Sequence, residues 1–198
     1  MSIKIKDHLK TEYLNPVLEA KLANNYQRIF SVLSLMYGNS LFDNIYFNLT
    51  QKFVSNVQRS NALEIVDNMV DKDIRPIIVP LIESRDNDEK LRLGYQYFKI
   101  KQLTIEETLE TLMVDDSDWV RAITMYALAE EKFVELSDKI SMFMYDPAPI
   151  VRESAVYAME KFEIKMSPED INYLKEDPDV FIRRYVEFIT GTADKDTA

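Results

Sequence analysis

A chain of 198 residues with 46% hydrophobic side chains can bury a sizeable core, as one domain or as one continuous array of smaller units. Its 34 acidic residues outweigh 24 basic ones, and the formal charge of −10 disfavours phosphate backbones and anionic lipid while suiting a basic protein, peptide or cation. No cysteine is present, which excludes disulfides, thiolate catalysis and cysteine-ligated zinc and is compatible with a reducing cytoplasm.

The opening residues, MSIKIKDHLK, mix charges with isolated apolar residues and lack the apolar core of a signal peptide. They contain His8, the only histidine, so a histidine-based triad or a three-histidine metal site is excluded. The longest apolar stretch, IFSVLSLMYG at 29–38, falls short of the about 20 residues that span a bilayer and predicts a buried helix ended by Gly38. Residues 1–56 read as a helical cap packed on the first hairpin of the array that follows.

From residue 57 to 190 the chain repeats itself with a period of about 31 residues. Arg121, Arg152 and Arg183 are 31 apart, Arg59 lies 62 before Arg121, and Arg92 stands two residues from the remaining position. An apolar residue precedes each arginine: Val120, Val151, Ile182, Leu91 and, two positions back, Val57. Three residues after it comes a small or apolar one: Ala62, Tyr95, Thr124, Ala155, Val186. Six residues before it stands Asp86, Asp115, Asp146 or Asp177, with Phe53 in the first unit.

Each unit reads as two helices. Thr104 and Glu107 form a capping box ahead of an apolar periodicity at 105, 109, 112 and 113. A turn rich in Asp and Ser follows, and Asp118 is placed as the cap of WVRAITMYALAEEKF. The next second helix starts at Pro149, and the last unit opens with Ser167, Pro168, Glu169 and Asp170. Three glycines and no alternating run argue against strands, so the expected fold is all-α, a right-handed α-α superhelix of helical hairpins. The tail from 191, GTADKDTA, is small and polar and is expected to fray.

DDSDWVRAITMYAL, DPAPIVRESAVYAM and DPDVFIRRYVEFI resemble the HEAT and armadillo-like repeat class over roughly 57–190. Further upstream, RIFSVLSLMYGNSLFDNIYFNL, RSNALEIVDN and IIVPLIE are similar to the soluble HEAT-like domain of bacterial nucleotide-translocase-like membrane proteins, which resemble ADP/ATP carriers. That resemblance implies a domain on the cytoplasmic side of a membrane, as a fragment or as a homologue without the carrier, partnered by a protein or by another domain of its parent. Transport itself cannot be assigned to these residues.

The Asp and Arg columns suit a structural ladder, in which Asp86, Asp115, Asp146 and Asp177 accept bonds from turn amides and from Arg121, Arg152 and Arg183 of adjoining repeats. Five residues after the arginines stand Tyr97, Tyr126, Tyr157 and Phe188, and two readings remain open for them. They either pack between hairpins or form a recognition stripe for an extended peptide or helix. Trp119, aligned with Ile150 and with Phe181 or Ile182, is read as a packing residue. The acidic runs at 86–89, 106–107, 115–118 and 130–131 lack the calcium-loop pattern and its glycine, so they read as solvated caps. No GxGxxG or GxxxxGK loop is present, and no cofactor or metal is expected.

A non-catalytic protein-interaction module is therefore the leading expectation. A lyase-type or other HEAT-like enzyme is the alternative, but it wants a cysteine or histidine that the repeats lack, and a DNA-acting relative wants a cationic groove. A spacer without groove chemistry is the third reading.

Overall fold

The computed structural model describes residues 12–38, 40–50, 54–83 and 86–192. His8, Phe53 and the tail beyond Thr192 lie outside them. The described residues are all-helical, in the order α1 (Leu14–Tyr37), α2 (Leu41–Thr50), α3 (Asn56–Met69), α4 (Arg75–Ile82), α5 (Asn87–Tyr97), α6 (Ile105–Met113), α7 (Asp118–Glu130), α8 (Ser137–Ser141, between two short 3₁₀ turns), α9 (Pro149–Lys161), α10 (Pro168–Lys175) and α11 (Val180–Ile189). None of these helices is long and apolar enough to cross a membrane.

The period survives in the helix starts. α3, α5, α7, α9 and α11 begin at residues 56, 87, 118, 149 and 180, each 31 after the last. Local chemistry sets these starts. Ser55, Asp86, Ser117 and Asp179 cap with their own side chains, and α9 begins instead with Pro149 after Ala148. Ser117, not Asp118, caps α7, because its hydroxyl accepts from the Val120 amide while Asp118 is already the first helical residue. The expected box at Thr104 with Glu107 is formed, and Ser167 at the opening of the last unit makes a second one with Asp170.

The ends repeat as well. Lys132 and Glu163 take positive φ of 53° and 58°, and the next residue's amide reaches back over the last turn, Phe133 to Leu128 and Ile164 to Met159. Gly191, at φ 68°, closes α11 likewise through the Thr192 amide and the Glu187 carbonyl.

The described residues divide into two compact units, one within 19–102 and the other within 103–192 together with 12–18, a division that falls inside the 57–190 array. Helix α1 gives its first turn to the second unit and the rest to the first. In the N-terminal unit Phe30 and Leu33 of α1 pack with Phe42, Ile45, Val66, Ile78 and Ile82. The expected buried helix at 29–37 is buried on that side only. Val32, Leu35 and Met36 are exposed, because hydrophobic side chains surround a helix that has one packed face.

In the C-terminal unit α7 packs on α6, α9 on α7 and α8, and α11 on α9 and α10. Helix α7 therefore has neighbours on more than one side, and Ala122, Met125 and Ala129 join Val120, Thr124, Ala127 and Leu128 in burial. Thr124 is accommodated there because its hydroxyl donates to the Val120 carbonyl at 2.7 Å.

Candidate interaction face and the ladder beneath it

The Asp and Arg columns meet at the turns of the C-terminal unit. Asp115, Asp146 and Asp177 each accept the amide two residues on, from Ser117 at 3.0 Å, Ala148 at 2.9 Å and Asp179 at 2.8 Å, which folds the turn into the next helix. Each arginine then ties down its own turn: Arg121 Nη1 donates to the Asp115 carbonyl at 2.8 Å, Arg152 Nη1 to the Asp146 carbonyl at 2.7 Å, and Arg183 Nη1 to the Asp177 carbonyl.

Two of the arginines also reach forward one repeat. Arg152 holds the Asp177 carboxylate with two parallel bonds of 2.7 Å, Nε to Oδ2 and Nη2 to Oδ1, both side chains being nearly fully buried. Arg121 makes the equivalent reach to Asp146 with one bond of 3.0 Å, and its buried Nε has no partner. The ladder is thus tightest at its C-terminal rung. Burial pushes the Asp177 carboxyl up, but the Arg152 bonds, the Asp179 amide and the charges of Arg152 and Arg183 together hold it below the usual carboxylate range. The same bonds to Asp177 raise the Arg152 guanidinium against the opposing effect of burial.

Asp86 stands elsewhere. It is the N-cap of α5, accepting from the Glu89 amide at 2.7 Å, whereas Asp115, Asp146 and Asp177 lie two residues before their caps. The cap fixes the phase of α5, so the residue in the arginine register is Lys90, four after its cap, and not Arg92. Tyr97 is displaced for the same reason. Tyr95 occupies the position of Tyr126, Tyr157 and Phe188, nine residues after the cap, and Tyr97 is the last residue of α5.

Within the C-terminal unit the aromatic column is continuous at one end and open at the other. The rings of Tyr126 and Tyr157 stack with centroids 5.0 Å apart, and Tyr13 meets Tyr126 edge-on at 5.2 Å. Phe188 is 71% exposed. Seven residues before these, two turns back on the same helix face, stand Trp119, Ile150 and Phe181, of which Trp119 is 52% and Phe181 69% exposed. Trp119 is therefore not a core residue. Its counterpart is Phe181, while Ile182 lies in the buried column with Val120 and Val151.

Carboxylates surround this face. Tyr157 donates its hydroxyl to Glu130, and Tyr185, a residue the sequence columns did not single out, donates to Glu160. Lys161 lies over the Tyr157 ring at 5.3 Å and 3.8 Å from Glu130. Burial first, and then the bonded carboxylate, pushes both phenols well above the usual tyrosine range. Residues 103–198 carry 22 acidic against 10 basic side chains, a net of −12, whereas residues 1–102 carry 12 against 14, a net of +2. The exposed aromatics of the second unit thus sit in its strongly negative field.

On the other side of the hairpins Tyr145 donates to Asp170, and its ring lies 4.6 Å from that of Tyr173. That bond, then burial, then the Asp170 and Glu169 charges push the Tyr145 phenol up to about 12. A raised folded value means that its contribution to stability is present below the unfolded value of about 10 and is lost as pH rises from there to about 12. Melting temperature measured against pH should fall less steeply over that window for Tyr145→Phe than for the wild type. Equal slopes would show that the bond does not persist in solution.

Comparison with protein-family models, curated proteins and solved structures finds no match for this chain.

Proposed function

We propose that the chain is a non-catalytic binding module, a HEAT-like right-handed superhelix of hairpins, whose second helices present a face to a basic amphipathic segment of a partner protein. One observation carries the reading. Two columns of large apolar side chains, Trp119, Ile150 and Phe181 and then Tyr126, Tyr157 and Phe188, recur on one face of α7, α9 and α11, with Trp119, Phe181 and Phe188 exposed and Ile150, Tyr126 and Tyr157 half-buried between them. The exposed Trp119, Phe181 and Phe188 supply rigid apolar anchors, and Glu130 and Glu160 beside them supply the charge that a lysine- or arginine-flanked segment complements. The resemblance to the soluble domain of carrier-like membrane proteins extends the proposal to a cytoplasmic role beside such a carrier. The segment would then belong to a separate protein or to another domain of the same parent.

Trp119 is the only tryptophan and belongs to this face, so it reports directly on docking. Titration with a synthetic amphipathic helix of leucine and lysine should shift its emission to the blue and saturate. A leucine and glutamate helix of equal length should leave it unchanged. An unmoved emission with the basic peptide, or an equal shift with the acidic one, would sink the proposal.

A further inference from the structure

The arginine column of the ladder has a different fate in the N-terminal unit. Arg59 and Lys90 stand four residues after the caps Ser55 and Asp86, the position that Arg121, Arg152 and Arg183 occupy after theirs. In the C-terminal repeats that cation is used up on turn carbonyls. The half-buried Arg59 side chain, by contrast, has no hydrogen-bond or ion-pair partner among the described residues, and it lines a cavity of about 390 Å³ that Lys90 also lines.

The remainder of the cavity is mostly apolar. Leu22 and Phe30 of α1, Leu49 of α2 and Ile82 of α4 form its walls. Tyr26 adds a polar edge, with Lys90 Nζ 3.2 Å from its hydroxyl and 5.5 Å from its ring centroid. Of the two acids in the lining, Glu19 is exposed and Glu83 is already engaged in an interaction of its own. A volume of this size, apolar walls and a few convergent polar groups are the attributes of a small-molecule pocket. An arginine without a carboxylate partner at its edge selects the charge of the ligand, and its planar fork matches a carboxylate with two parallel bonds.

We infer that the N-terminal unit holds a binding site for a small amphiphilic carboxylate, whose head group pairs with Arg59 and Lys90 and whose apolar body lies against Leu22, Phe30, Leu49 and Ile82. The inference is independent of the peptide-binding reading, which concerns the other unit. The ladder explains how such a site arises from a repeat: the same column position that locks a turn in three hairpins is released in two others to face a cavity.

Calorimetric titration of the full chain with decanoate tests the assignment, with decanol as the uncharged control. Decanoate should saturate one site per chain, and decanol should bind about ten-fold more weakly or less, the loss expected for one charge-assisted pair. Arg59→Gln should weaken decanoate binding about ten-fold with an unchanged helical circular dichroism signal, since no bond within the protein is lost; Lys90→Gln should also weaken it. Arg92→Gln, on the same helix as Lys90 but outside the cavity lining, should leave it unchanged. Absence of saturable decanoate binding, equal affinity for decanol, or full affinity in Arg59→Gln would each overturn the site.

Discussion

Arg152→Ala is expected to destabilise the C-terminal unit by about 3–5 kcal/mol, because it leaves Asp177 as a buried, unpaired charge. Asp177 is 2% exposed, so water cannot replace the two guanidinium bonds that it loses. The Asp146 and Pro147 carbonyls lose their Nη1 donor at the same time. Arg152→Lys should recover only part of the loss, since an ammonium cannot span both carboxylate oxygens and the turn carbonyls together. Urea unfolding followed by circular dichroism measures the effect, and a loss below about 1 kcal/mol would contradict the buried pairing. The pair also has a pH signature. Asp177 ionises below its ordinary range, so its contribution is complete above about pH 4 and is lost as pH falls further; Asp177→Asn should flatten that acid limb.

Leu128→Ala should cost about 2–5 kcal/mol through a different mechanism. Leu128 is fully buried in α7, the helix between α6 and α9, and belongs to the cluster with Leu109, Met125, Leu136 and Met159. Removing three heavy side-chain atoms leaves a cavity that helices packed on more than one side cannot readily collapse into. Leu35→Ala is the contrasting substitution. Leu35 is 84% exposed, and its truncation should change stability by no more than about 0.5 kcal/mol. Comparable losses for the two leucines, measured by the same urea unfolding, would mean that the burial pattern is wrong.

Much of this architecture is legible in the sequence because turn chemistry and period are local properties. The recurrence of Arg121, Arg152 and Arg183 identified the second helices, and the box at Thr104 and the Ser167–Pro168 opening located two first-helix starts. Anchoring on arginine misled at α5, where Arg92 pulled Asp86 and Tyr97 into columns that they do not occupy. The cap, not the arginine, sets helix phase, so aligning Asp86 with Ser117 and Ser55 places Lys90 and Tyr95 in register.

Contacts between hairpins were harder to see, since period alone does not say which side chains of successive repeats touch. A signal was nevertheless present: Arg121 with Asp146, Arg152 with Asp177, Tyr145 with Asp170 and Tyr185 with Glu160 are all 25 residues apart. The open alternatives for the aromatic column divide along its length. Tyr126 and Tyr157 spend their rings on each other across adjacent hairpins, as in the packing reading, while the exposed Phe188 is left for the recognition reading. The cavity beside Arg59 left no trace in the sequence, because its walls come from α1, α2 and α4, whose approach to α3 and α5 is set by packing.

The most direct test of the proposed face is the affinity of the leucine and lysine helix for a Phe181→Ala/Phe188→Ala variant, read from Trp119 emission. Both phenylalanines are exposed, so the variant should melt with the wild type, within about 0.5 kcal/mol, while its affinity falls at least about ten-fold. Unchanged affinity in a variant that is still folded would contradict the assignment of this face to partner binding.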